Sequence, residues 1–484
     1  MRRGGVVCWV AGGEVLAMRV GMVLLGVLSL VGCAPMGPDY RRPELVTDAR
    51  YKEEGVWRFA VPADAVPRGA WWRVFRDAEL DRLEELAGAG NPGLRAALLR
   101  VDQARVAARG TAVDFLPEAN ARVSADRRGD SGNLRRSRGD VAFFGATWNQ
   151  FRVPLEAAWE LDFWGRVRRT VEAAEADAGA AAALAASARL TMEADLAQNY
   201  FAARTVQSEI ETLEATVDLR KRAVGLVNDR FRSGAISELD VARAETELAG
   251  GEADLAALRQ RRSELVHAMA TLTGQAATSF RCETRALAGE PPAIPAGVPA
   301  DLLQRRPDIA EGERRMAAAS ARIGAAKAAF FPSVRLTGRL AVESSATDDL
   351  FTLGSRAWAA GSAVNFPIFE QALNAAVYSG RKLQFEEALA TYQQTALRAF
   401  EEVENQLSAL RYLSEQEAAQ GRAVVASGRA ATLSAERFRA GAVSFLEVVD
   451  ADRTRLQSLR QSRQTAGQRY VATVQLIRAL GGGW

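Results

Sequence analysis

Histidine is almost missing from this 484-residue chain: His267 is the only one. That removes most histidine-based catalytic triads and metal sites. Walker loops, GxSxG and HExxH patterns are missing too, so neither an enzyme nor a nucleotide-driven pump is expected. No metal and no cofactor is expected either, beyond one covalent lipid. Lysine is confined to Lys52, Lys221, Lys327 and Lys382, a compositional bias without mechanistic weight. No charge of one sign dominates. The 62 basic and 59 acidic residues leave a net charge of +3, which gives no electrostatic case for nucleic acid. Aromatic residues are only 7% of the chain while alanine is abundant, a balance that favours long helices over a thick globular core. Of the three cysteines, Cys8 and Cys33 lie near the start and Cys282 stands alone. A single thiol makes no internal disulfide and no metal site.

A long hydrophobic run is also lacking. Val20 to Val31 is almost wholly apolar for about twelve residues, too short to span a bilayer but right for a signal-peptide core. Residues 18–32, opening on Met18-Arg19, read as a lipoprotein signal peptide. Residues 1–17 lack that logic and read as a mis-assigned upstream start. Leu30-Val31-Gly32 places small and apolar residues before Cys33, the arrangement a lipoprotein signal peptidase accepts. Cys33 is therefore expected to carry the lipid and to become the new N-terminus. The alternative is an ordinary secretory signal with an incidental cysteine. Ala34, in place of an acid, is compatible with the outer membrane.

What is present is a duplication. RFRSGAIS at 230–237 returns as RFRAGAVS at 437–444, with six of eight letters identical. Phe115-Leu116-Pro117 is echoed by Phe330-Phe331-Pro332. Each half reads in one order: a helix (77–112, then 301–329), an FxP corner, two strands around a polar loop, a very long helix, the repeated turn and a shorter helix. The period is too long for a solenoid. The first repeat spans 77–275 with its strand pair at 117–162. The second spans 301–475 with its strand pair at 332–368. A proline-rich linker at 276–300 joins them, with an N-terminal segment at 33–76 and a C-terminal one at 476–484.

The strands follow from alternation. In SVRLTGRLAVE, Val334, Leu336, Gly338, Leu340 and Val342 share one face, and Arg335, Thr337 and Arg339 the other. Each strand has about ten residues, the length a tilted strand needs to cross a bilayer. An amphipathic strand of a soluble sandwich reads the same way. The long polar loops at 127–140 and 343–356 favour a membrane barrel. One chain offers four such strands, and an open four-stranded sheet cannot span lipid. Closed barrels need about eight or more, so transmembrane strands require an oligomer.

Phe163 to Arg232 and Phe369 to Arg439 contain no proline. Some seventy helical residues extend on the order of 100 Å, and charges every few positions exclude a membrane helix. No strict heptad persists, so a helical wall with one wet face fits better than a dimeric coiled coil. In the repeated turn, Gly234 and Gly441 are expected to close a helix in the left-handed conformation. Arg230, Arg232, Arg437 and Arg439 are expected to complement the carboxyl-end dipole, and Ser237 and Ser444 to act as N-caps. That accounts for the spacing as structure. The small apolar residues after each glycine point to docking at Gly234, Ala235, Ser237, Gly441, Ala442 and Ser444.

Several stretches together resemble the outer-membrane factor family of Gram-negative bacteria, the TolC-like channels, and within it the lipoprotein branch of multidrug efflux. They include CAPMGPDYRRP (33–43), WWRVFRDAELDRL (71–83), WELDFWGRVRR (159–169), LLQRRPDIAEGERR (302–315), AKAAFFPSVRLTG (326–338), RFRAGAVSFLEVVDADR (437–453) and ALGGGW (479–484). The resemblance implies an α+β fold. Three chains would share a twelve-stranded outer-membrane β-barrel, four strands each, continuous with a long periplasmic α-helical barrel. The termini and the 280–300 connection would lie at its equator. It also implies a homotrimer whose six tips dock a periplasmic adaptor (membrane fusion) protein joined to an inner-membrane pump. By position, Leu446, Asp450 and Arg453 match the branch's periplasmic gate; these spacings share a helix face, and without the resemblance they read as an ordinary surface ion pair. The sequence departs from the family at Gln371-Ala372-Leu373, where glycines often precede the helix, and at Asp452, where many relatives have Gln. The expected function is a passive exit duct for drugs or other small molecules. Type I protein secretion and a structural periplasmic coiled-coil lipoprotein are the alternatives.

Overall fold

The computed structural model describes residues 35–43, 52, 69–129, 131, 136–138, 141–143, 147–294 and 305–482. The expected upstream start, the signal peptide and Cys33 lie outside the described residues, as do positions 295–304 and 483–484. Seven α-helices are described: α1 (Ala78–Gly90), α2 (Pro92–Ala112), α3 (Arg166–Arg232), α4 (Glu238–Leu272), α5 (Pro307–Ala328), α6 (Gln371–Arg439) and α7 (Phe445–Ala479). The strands are β1 (Glu118–Ala121), β2 (Ser124–Gly129), β3 (Arg136–Arg138), β4 (Val141–Phe143), β5 (Thr147–Leu161), β6 (Ser333–Ser344) and β7 (Arg356–Asn365). The chain divides into two compact units. One takes residues 102–179 and 313–390 with the stretch up to Pro43; the other takes 44–101, 180–312 and 391–484.

The helices correct two sequence expectations. The single helix expected at 77–112 is two, broken at Asn91. Pro92 has no N–H to donate, so it opens a new helix and does not continue the old one. Asn91 caps that start by accepting from the Leu94 N–H at 2.8 Å, and its amide donates to the Leu272 carbonyl at 2.7 Å. The helix expected at 301–329 is described from Pro307, again a proline at the first position. α6 opens at Gln371 without glycine: the Gln371 side chain donates to the Pro367 carbonyl at 2.9 Å, and Asn374 donates to the Ala329 carbonyl at 2.9 Å.

The first unit holds the sheet, in the antiparallel order β1–β5–β6–β7 with β2 also on β5. β1 and β2 keep one register against β5, from Glu118 opposite Ala158 to Gly129 opposite Thr147. They are one strand interrupted at Arg122 and Val123. The interruption faces Pro154, which has no N–H for the ladder; the Arg122 N–H still reaches the Pro154 carbonyl at 3.2 Å. The region expected as a plain loop at 127–140 is partly strand: β2 runs to Gly129, and β3 pairs with β4 as a short hairpin.

The second unit holds the main hydrophobic core. Trp71, Leu80, Leu83, Phe201, Met269 and Ile477 are among its buried members. Phe201 lies between Phe75 and Tyr470 at centroid distances of 4.7 and 4.8 Å. Asp77 fixes the start of α1 by accepting from the Glu79 and Leu80 N–H groups, and it also binds the Tyr200 hydroxyl and Arg204. Cys282 is half-buried, and burial followed by the charge of Glu79 pushes its thiol up to about 12. It is therefore a protonated, weakly nucleophilic thiol.

Glu84 is the exception in this core. It is 1% exposed, and neither carboxylate oxygen has a hydrogen-bond partner among the described residues. Burial, then neighbouring Glu193, pushes its pKa up to about 10 against a smaller pull from Arg189. The folded chain keeps a proton there that the unfolded chain releases near pH 4.5. This contribution to stability is full below that pH and falls as pH rises toward 10. Glu84→Gln removes the titration. The stability of the variant relative to the native protein should rise by about 1.4 kcal/mol per pH unit between about pH 5 and pH 9. Denaturant unfolding across that range measures it, and an offset that stays constant with pH would contradict a neutral Glu84.

Candidate functional site

The register sorts the sheet's side chains by face. One face carries the cross-strand rows Leu155–Leu340–Trp358, Ala157–Gly338–Ala360 and Trp159–Leu336–Ser362. The other carries Glu156–Arg339–Ala359 and, beyond the Pro154–Ala341 row, Arg152 opposite Glu343. On this second face Arg339 pairs with Glu156 at 3.6 Å and with Glu343, Arg152 with Asp126 at 2.9 Å, and Arg335 with Glu118 at 3.9 Å. Opposite charges thus neutralise one another across strands. The apolar face is uncovered: Leu340 is 63% and Trp358 78% exposed. A soluble sandwich buries its apolar face and wets the other; here it is the apolar face that lacks a cover among the described residues. β5, β6 and β7 run 15, 12 and 10 residues, enough for a tilted strand to cross hydrocarbon.

One end of this sheet is ringed by exposed apolar side chains. Leu116 precedes β1, and Phe366, Ile368 and Phe369 follow β7. The chain just after Cys33 is pinned at the same end. The Met36 N–H donates to the Trp164 carbonyl at 2.9 Å, and Arg169 binds the Met36 carbonyl at 3.2 Å and the Asp39 carboxylate at 2.6 Å. Trp164 is itself fixed, donating to the Pro332 carbonyl at 2.8 Å and stacking on Phe331 at 4.7 Å.

The repeated turns are tight helix-to-helix connections in the second unit. Gly234 and Gly441 both have φ +75°. The Ala235 N–H donates to the Arg230 carbonyl and the Gly234 N–H to the Phe231 carbonyl, both at 2.9 Å. Ala442 and Gly441 repeat these bonds to Arg437 and Phe438 at the same distance. This double closure satisfies the last carbonyls of a helix and needs a left-handed residue, hence the glycines. Gly234, Ala235, Ser237, Gly441, Ala442 and Ser444 are all exposed.

Two details differ from the sequence reading. Ser237 and Ser444 stand at the N-cap positions with extended backbone, but neither hydroxyl caps its helix. Ser237 donates to the Asp240 carboxylate at 3.2 Å, and the acids of the first turn, Asp240 and Glu447, face the helix dipole. Arg230 does not serve its own helix end. It donates to the carbonyls of Phe438 and Arg439 at 3.2 and 3.1 Å and lies 4.7 Å from the Phe438 ring. Val227, Ala244, Phe438, Phe445 and Val449 form one apolar cluster that joins the two turns.

The three gate candidates lie on α7. Leu446 and Asp450 are exposed. The Asp450 carboxylate makes no hydrogen bond or ion pair among the described residues, although its charge acts on Arg453; its backbone carbonyl accepts from Thr454 at 2.9 Å. Arg453 pairs with Glu247 of α4, its Nε donating at 2.9 Å. Glu247 also binds Arg220 of α3 at 3.2 Å, and Arg220 reaches Asp452 at 3.3 Å. Asp452 in turn meets Arg455 at 3.4 Å. α7 is thus tied to the first hairpin through a chain of alternating charges. Sequence pattern alone does not single out Arg220 or Glu247: each is one charge among many on a helix face, and only the packing brings them to α7. The same helices line a cleft of about 730 Å³ between the hairpins, with Leu226, Ala431, Phe438 and Val448 on its apolar walls.

The comparisons with known proteins agree with one another. The model of the outer membrane efflux protein family matches residues 83–275 and 298–482. The cation efflux system protein CusC of Escherichia coli O6:H1 is 31% identical over 468 residues, which is 94% of this chain and 97% of that protein. The solvent efflux pump outer membrane protein SrpC of Pseudomonas putida is 32% identical over 473 residues, 95% and 97% of the two chains. The structure of the outer-membrane channel OprN matches with a TM-score of 0.83 at 31% identity, over 93% of this chain and 99% of that one. The chain belongs to the outer membrane efflux protein family, and that membership places it in the outer membrane of a Gram-negative bacterium.

Proposed function

We propose that three copies of this chain share one twelve-stranded barrel and form a passive, lipid-anchored exit duct of a tripartite efflux system. The observation that carries this reading is the sheet: an uncovered apolar face, a charge-paired opposite face and two outer strands, β1/β2 and β7, each paired on one side only among the described residues. In hydrocarbon both edges must find partners, and further copies supply them. The apolar face then meets lipid and the charged face lines water. Paired charges of both signs favour neither cations nor anions in that lumen.

The similar proteins named above serve cation and solvent efflux. For this chain the soft ligands a metal relay needs are scarce. Met192, Met269 and Met316 are buried, and His267 is the only imidazole. Small organic molecules are the better-supported cargo. The lipid belongs on Cys33: the residues that follow it are held beside the apolar rim of the sheet, where acyl chains would enter the membrane.

Leu446, Asp450 and Arg453 form the gate in this reading, and the Arg453–Glu247 pair is its latch. Such a partly exposed pair is worth up to about 1 kcal/mol, so its loss should shift the resting balance several-fold toward open. Single-channel conductance in planar bilayers should rise in Asp450→Ala and in Arg453→Ala. Unchanged conductance in both variants would remove the gate assignment.

The exposed tips dock the adaptor, and the adaptor opens the gate for a pump in the inner membrane to drive export. A side chain at Gly234 or Gly441 meets open space, so the cost of replacement lies in the left-handed backbone and the altered surface. Gly234→Leu and Gly441→Leu should each abolish chemical cross-linking to a co-expressed periplasmic adaptor while trimers persist on unheated gels. Cross-linking that survives in both leaves the turns with a structural role only.

A further inference from the structure

The two turns are near-copies in sequence but not in surroundings. Phe438 is 6% exposed, packed on Phe445 at 5.5 Å with the Arg230 guanidinium over its ring. Its counterpart Phe231 is 42% exposed. The position equivalent to Phe445 is Glu238, so the first turn has no second ring to cover Phe231. The Arg439 carbonyl accepts from Arg230, whereas the equivalent Arg232 carbonyl accepts nothing among the described residues. Arg437 is the counterpart of Arg230. It is exposed, and its guanidinium has no partner among the described residues. The first turn therefore offers an open ring and an open carbonyl, and the second turn offers the arginine that would fill both.

We propose that Arg437 of each copy clasps the first turn of the next, over Phe231 and onto the Arg232 carbonyl of the partner subunit. This repeats between chains the clasp that Arg230 makes within one. It rests on the reading that copies assemble around a common axis. Within a chain the clasp has a direction, from first turn to second. A head-to-tail contact of that kind either closes a ring or runs on without end, and continuing it from second turn to the next first turn closes the ring. Three copies would then carry six clasps, alternately within and between chains. The guanidinium suits both halves of the target, since it stacks on an aromatic face and its fork donates to carbonyls at a helix end.

The test uses full-length protein in membranes, with Cys282→Ser so that only introduced tip thiols react with a short bis-maleimide. Arg437→Cys with Phe231→Cys should yield covalent dimers and trimers that survive boiling. Arg230→Cys with Phe438→Cys should cross-link within one chain and run as monomer after boiling. Co-expressing one chain with Arg437→Cys alone and another with Phe231→Cys alone should still give covalent dimers. Unheated gels report assembly separately. If trimers are present but the Arg437 and Phe231 thiols never join chains, the clasp is overturned and the duct reading stands. If no trimer is present at all, both are overturned.

Discussion

A sheet can sit in hydrocarbon only when every backbone N–H and C=O at its edges is paired. This constraint governs the rest of the molecule. The chain supplies four strands' worth of sheet, in one antiparallel register, with an apolar face and a charged face. Among the described residues no strand closes the edges. In the proposed duct the edges of β1/β2 and β7, unpaired among the described residues, turn a membrane requirement into a requirement for further copies. Pro154 shows how closely the ladder is managed. It costs one donor, and the break it causes falls between β1 and β2 without disturbing the register on either side.

Duplication then sets the working end. Each repeat ends a long helix in the same left-handed glycine turn, with the same pair of backbone bonds. The two turns are not independent, because Arg230 of the first closes the carbonyls of the second and one apolar cluster joins them. α7 is further held by Arg453 and Asp452 to charges on the first hairpin. Asp450, the exposed acid of the proposed gate, is the member of this group left without an ion pair among the described residues. In the proposed gate, a resting closure held by partly exposed charge pairs would be weak enough for a docking partner to release. A buried apolar seal would not be.

Much of this was legible in the sequence. Alternation at 333–343 sorted Leu336 and Leu340 from Arg335 and Arg339, and β6 has that arrangement. The repeated turn disclosed both glycines and both helix ends. Part of what escaped was set by contacts between distant segments. The break at Asn91 is the local exception: Pro92 has no N–H with which to continue a helix, a signal that reading 77–112 as one helix passed over. The Ser237 hydroxyl donates to Asp240, and neither it nor the Ser444 hydroxyl accepts from its helix. Arg230 looked like a partner for its own helix dipole, yet a neighbouring helix end with free carbonyls lay within reach. Glu247 carries no local pattern and owes its position to the packing of α4 on α7.

The measurement that bears most directly on the shared barrel is a gel of palmitate-labelled protein from separated membranes, run unheated and heated side by side. The account predicts one labelled outer-membrane species of about three protomers that collapses to a labelled monomer on heating, as closed barrels built from several chains require. A labelled or unlabelled monomer or dimer in the soluble or inner-membrane fraction would contradict it. The strands would then need another cover, and the long helices would be read as a periplasmic coiled coil.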